Sequence, residues 1–92
     1  MKLTDLVFDL DTLNEELIIF QTDLNDYDSD IFLSPAENEN LIITNKNGKT
    51  FHYLIELFLA KEFIEDWVKS LNYRPEPIEI AQRLHRYAIN DA

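Results

Sequence analysis

Carboxylates are the residues in this chain whose type and spacing could do chemistry. Asp9 and Asp11 stand two apart in the run VFDLDTL, and Asp26, Asp28 and Asp30 alternate through DYDSDIFLSPAE, with Asp23 before them and Glu37 and Glu39 after. Two neighbouring carboxylates can divide the roles of nucleophile and general acid or base. Several at alternate positions of a loop can instead wrap a hard cation such as calcium. His52 and His85 lie far apart with no serine placed to complete a nucleophilic triad, and both read as structural. Cysteine is absent, which closes thiolate metal sites and disulfides alike.

The run VFDLDTL resembles the opening motif of the haloacid dehalogenase superfamily, an apolar strand ending in Asp-x-Asp-Gly-Thr-Leu. The resemblance implies Asp9 as nucleophile and Asp11 as general acid and base. The motif's glycine is missing here, and the residues after Leu13 are too few for the parallel sheet that carries that family's other catalytic groups, so the chain is not expected to be an enzyme. The run from Asp26 to Glu37 is similar to an EF-hand calcium loop, with Asp26, Asp28 and Asp30 at the first three ligand positions and Glu37 at the last. Ile31 occupies the position where that loop turns on a glycine, at a strain of about 1 to 3 kcal/mol, and strand-like residues replace the exiting helix. Weak calcium binding is therefore an alternative reading, and no cofactor is expected. The stretch from Gly48 to Ala92 resembles loosely a set of small uncharacterised bacterial or phage proteins. That likeness implies such an origin and transfers no functional residue.

The distribution of charge says more than any motif. Of the formal net charge of −10, all lies in residues 1–45, where eleven acids face Lys2 alone, while residues 46–92 hold seven acids and seven bases. Nucleic acid and anionic membranes would be repelled by such a surface. A basic protein would be attracted. The leading expectation is a non-enzymatic binding module, an immunity protein or nucleic-acid-mimicking inhibitor that sets carboxylates against a toxin, nuclease or defence complex. Asp23, Asp26, Asp28, Asp30, Glu37 and Glu39 are its candidate contact residues, on the premise that the carboxylates of the first half of the chain gather on one side of the molecule. A homodimer in which acidity serves only solubility is the alternative from a different class. The first ten residues suit neither a secretory nor a transit signal, and no apolar run approaches the roughly 20 residues that span a bilayer, so the expected location is cytoplasmic.

These residues need a scaffold, and hydrophobic period supplies one. LIIT and TFHYLIEL flank Lys46-Asn47-Gly48-Lys49, which predicts a β-hairpin on a two-residue type I′ turn, with Thr44 opposite Phe51 and Ile42 opposite Tyr53. Both faces of that hairpin are apolar, so helices on one side require further cover on the other. Ala60, Phe63, Ile64, Trp67, Val68 and Leu71 fall on one helical stripe that stops near Asn72, ahead of Pro75 and Pro77. Pro77 suits the first turn of a last helix, whose buried side is Ile80, Ala81, Leu84, Tyr87 and Ala88, with Glu79 and Arg83 paired outside it. Leu3, Leu6, Val7 and Leu10 suggest a short first helix capped by Thr4, Glu16 to Gln21 a strand, and Ile31 to Leu33 another. The sum is a single α+β domain over residues 1–92: a small antiparallel sheet of three to four strands with a central Asn-Gly hairpin, packed against two C-terminal helices and a short N-terminal one. Arg74, Arg83 and Arg86 are expected to answer the acidic half.

Overall fold

A computed structural model describes residues 1–35, 41–45 and 47–90. The chain runs α1 (Leu3–Leu6), a 3-10 turn (Leu10–Thr12), β1 (Leu17–Gln21), β2 (Ile31–Pro35), β3 (Ile42–Thr44), β4 (Thr50–Glu56), α2 (Leu57–Ser70) and α3 (Pro77–Asn90). The four strands form one antiparallel sheet in the order β2-β1-β4-β3. An α+β architecture with helices at both ends of the chain is what the periodicities predict.

Side-chain alternation divides the sheet into two faces. Ile19, Ile31, Leu54 and Ile55 join Leu3 and Leu6 of α1, Leu57, Ala60 and Ile64 of α2, and Ala81, Leu84 and Ala88 of α3 in the main core. Ile18, Phe20 and Phe51 form a second, smaller cluster with Ile43 and Tyr53, made of strand residues alone. Central β1 thus contributes to both, which is why Ile18, Ile19, Phe20 and Gln21 are all buried. Two consecutive β4 residues, Leu54 and Ile55, reach the same core because β4 bulges there: Ile19 lies opposite Ile55, and Phe20 opposite Tyr53. The extra residue shifts the alternation by one step and turns Leu54 toward the helices.

The β3–β4 register differs from the expected one. Thr44 faces Thr50, Ile43 faces Phe51 and Ile42 faces His52, one residue from the type I′ pairing. Asn45 causes the change. Its side-chain Oδ1 accepts the N–H groups of Asn47 (3.0 Å) and Lys49 (2.9 Å), while its backbone N–H donates to Lys49 O and its carbonyl accepts Gly48 N–H. A longer loop needs one left-handed residue rather than two. Gly48 supplies it at φ +82°, and no other described residue has positive φ. A Cβ on Gly48 would meet no atom of the described residues within 4 Å, so Gly48→Ala should cost backbone strain, about 1 kcal/mol in urea unfolding.

The two C-terminal helices begin and end near their predicted limits, whereas the first stops at Leu6 and leaves Leu10 to the 3-10 turn. α1 starts on Lys2 rather than on a Thr4 cap, because the Asp5 carboxylate accepts the Lys2 N–H at 2.9 Å and closes the first turn. On α3, Glu79 accepts from Tyr73 Oη (2.9 Å) and Glu76 N–H (3.3 Å), and the Arg83 guanidinium lies 5.3 Å from the Phe63 ring centre, so the expected Glu79–Arg83 pair gives way to these contacts. Phe63 and Tyr87 stack with ring centres 4.1 Å apart between α2 and α3. Trp67 is half-buried beside them, at the margin of the core rather than within it. Among the described residues no helix is long and apolar enough to cross a membrane.

Candidate functional site

Strand register places the acidic residues at two ends of the sheet. At one end Ile31, Gln21, His52 and Ile42 form a row across all four strands, so the β1–β2 loop and the β3–β4 loop project together. At the other, Leu17 stands opposite Pro35 and Ile18 opposite Glu56, bringing Glu15 and Glu16 beside the start of α2. The premise that the acids collect on one side is corrected accordingly. β1 runs from one end of the sheet to the other, and acids fall both in the β1–β2 loop that follows it and just before it.

The first end carries the aspartate loop, residues 23–30, whose backbone is tied down from within. Asp23 Oδ1 accepts Asn25 N–H and Asp26 Oδ1 accepts Asp28 N–H, both at 2.9 Å, the turn-forming habit of aspartate. Ser29 Oγ accepts Asp23 N–H (3.1 Å) and lies 2.9 Å from the carbonyls of Asp23 and Asp26. Leu24 and Tyr27 pack against the main core while Asp23, Asp26 and Asp28 stay exposed.

Gln21, fully buried at the end of β1, anchors this loop from below, its Nε2 donating to the carbonyls of Tyr27 (3.0 Å) and Ser29 (3.3 Å). Sequence reasoning missed its role. The signal was a polar residue continuing the inward alternation of Leu17 and Ile19; its Nε2 finds the two loop carbonyls, while its buried Oε1 has no partner among the described residues.

Asp30 behaves differently from its neighbours. Its carboxylate forms ion pairs with Lys49 and, at 3.1 Å, with Lys2, whose Nζ also donates to Asp28 O at 2.7 Å. The hydrogen bond from Lys49, then that from Lys2, lowers the Asp30 carboxyl to about 2. Lys2 is raised above the usual lysine value, first by its bond to Asp30 and further by the charges of Asp28 and Asp26. Among the described residues Lys2 thus pairs with Asp30 alone while sitting in the field of Asp28 and Asp26. Arginines were expected to balance the acidic half, but the ion pairs among the described residues use Lys2, Lys49 and Lys61, the last reaching Glu15 at 3.0 Å and Asp11 at 4.0 Å.

Asp30 gives the fold an acid-sensitive contact. Because its folded pKa is depressed, the stabilisation is complete above the unfolded value near 3.8 and is lost as pH falls toward about 2. Asp30→Asn has no such titration. Melting temperatures of the two proteins should therefore differ most above about pH 5 and converge below about pH 2. A difference that stays constant across that range would show that the ion pairs contribute nothing.

The remaining candidates separate. Glu37 and Glu39 lie outside the described residues. Asp9 and Asp11 are exposed at the cap and in the middle of the 3-10 turn, where the dehalogenase pattern needs the end of a strand. The calcium-loop pattern is not adopted either: Ile31–Pro35 is strand β2, and Ile31 itself is core. Among the described residues no three His, Asp or Glu side chains group as a metal cage. His52 is half-buried in β4, and His85 on α3 has a buried Nε2 without a hydrogen-bond partner among the described residues.

The chain matches no protein-family model, no curated protein and no solved structure.

Proposed function

We propose that this chain is a non-enzymatic binding module that presents fixed carboxylates to a basic surface of another protein, in the manner of an immunity protein or of an inhibitor occupying a phosphate-binding site. The observation that carries the reading is the aspartate loop. Asp23, Asp26 and Asp28 project from a backbone held by the Asx turns, by Ser29 and by Gln21. Ordering such a loop on binding would cost conformational entropy, and that cost is already met in the free protein. Negative charge held at fixed spacing is the electrostatic property a phosphate backbone offers to a basic cleft.

Asp30 has a supporting role in this reading. Its two lysines hold the base of the loop, and the exposed aspartates above it make the contact. Partner and cytoplasmic setting belong to the proposal, as does the bacterial or phage origin implied by the C-terminal resemblance. The test is capture of a basic partner whose binding falls with salt and with neutralisation of these acids, since exposed charge pairs are screened over about 8 to 10 Å at physiological ionic strength.

A further inference from the structure

The groove at the opposite end of the sheet points to a second contact with the same kind of partner. It has a volume of about 670 Å³ and runs between the start of β1, the end of β4 and the first turn of α2. Leu17, Ile18 and Phe58 give it an apolar wall, and Glu15, Glu16 and Glu56 line it with carboxylates. No lysine, arginine or histidine is among its described lining residues. Lys61 reaches Glu15 at 3.0 Å, and neither Glu16 nor Glu56 has an ion-pair partner among the described residues. Phe58 is 43% exposed, while Leu57, Leu59, Phe63, Ile64 and Val68 of the same helix face the core, and an adjoining recess adds Glu62 and Glu65 together with Lys61.

We propose that this groove seats a cationic segment of a protein partner, an aliphatic side chain flanked by arginine or lysine. The aliphatic group fits against Ile18 and Phe58, and the cations meet Glu16 and Glu56. An arginine can in addition lie over the exposed Phe58 ring. Charge complementarity selects this occupant over a second copy, because two copies would bring a formal charge of −10 each to the contact. The Tyr53 phenol is raised above its usual value, first by burial and then by the Glu56 charge, which places that carboxylate's field at this end of the sheet. The inference rests on the reading of the chain as a module for basic partners and adds a site separate from the aspartate loop.

The probe is a short peptide alternating arginine and leucine, compared with one alternating arginine and glycine and one alternating glutamate and leucine. Each is titrated into the ¹⁵N-labelled full chain, following the amides of Ile18, Glu56 and Phe58 and those of Asp23 to Asp28. The arginine–leucine peptide should shift the groove amides saturably, and the glutamate–leucine peptide should not. Glu16→Gln with Glu56→Gln should weaken that binding about fivefold, the scale expected for two exposed charge pairs. Phe58→Ser, which leaves the charge untouched, should weaken the arginine–leucine peptide and bring it level with arginine–glycine. Glu16→Gln alone, at an exposed position, guards against misfolding of the double variant. Shifts confined to Asp23–Asp28 would overturn the groove and leave the aspartate loop as the binding site. Absence of shifts with either arginine peptide would overturn both readings. Groove shifts that depend on protein concentration without peptide would replace the partner with a second copy and overturn the proposal.

Discussion

Leu6→Ala should lower the unfolding free energy by about 3 kcal/mol and the melting temperature by about 10 to 25 °C, although the helix carrying Leu6 is only four residues long. A single turn of this kind has no stability of its own. It persists because Leu3 and Leu6 are wholly buried against α3, and because Met1 O accepts Ile31 N–H at 2.8 Å and ties the N-terminus to β2. Truncating Leu6 removes an apolar side chain and leaves a cavity bounded by three helices and the sheet. Phe8→Ala, two positions on, is the control. Phe8 is 71% exposed, and its loss should change stability by no more than about 0.5 kcal/mol. Equal effects at Leu6 and Phe8 would mean that the first turn lies on the surface of the fold.

The contrast between Leu6 and Phe8 shows which parts of the structure could be read from sequence. A helical stripe is local, so the apolar spacing in α2 and α3 located both helices to within a few residues. Pro75 and Pro77 marked their boundary for the same reason. Strand register is not local. Asn47-Gly48 matched a two-residue turn, yet the Asn45 side chain, whose Oδ1 accepts two backbone N–H groups, draws the loop wider and moves every β3 partner by one. The bulge at Leu54 left only two consecutive apolar residues in the sequence, a pattern any buried strand can show.

The candidate site was legible to the same extent. Aspartate's habit of accepting nearby backbone N–H groups made residues 23 to 30 readable as a loop, and the exposure of Asp23, Asp26 and Asp28 follows from it. Asp30 could not be separated from them, since Lys49 is brought to it only by the row that joins β2, β1 and β4. Glu15, Glu16 and Glu56 are distant in sequence and meet only because β1 pairs with β4, so the groove had no sequence signature at all.

Neutralising the acidic candidates should have the largest effect on binding. Asn at Asp23, Asp26, Asp28 and Asp30 and Gln at Glu37 and Glu39 remove six negative charges and retain an acceptor oxygen at each position. The Asx turns at Asp23 and Asp26 should survive, because an amide oxygen accepts as a carboxylate does. Lys2 and Lys49 lose their ionic partner at Asp30, so the variant's melting temperature is measured first to establish that it is folded. If a cationic surface is the natural ligand, the association rate and its salt dependence should fall together.

The decisive measurement immobilises the wild type and this six-position variant, exposes both to bacterial lysate at about 100 mM salt, and quantifies what each retains and what about 500 mM salt releases. The account predicts a basic protein enriched at least about tenfold on the wild type and eluted by salt, whose binding to nucleic acid is then blocked by the purified wild-type chain. Equal recovery on the two surfaces, or a retained protein indifferent to salt, would contradict it.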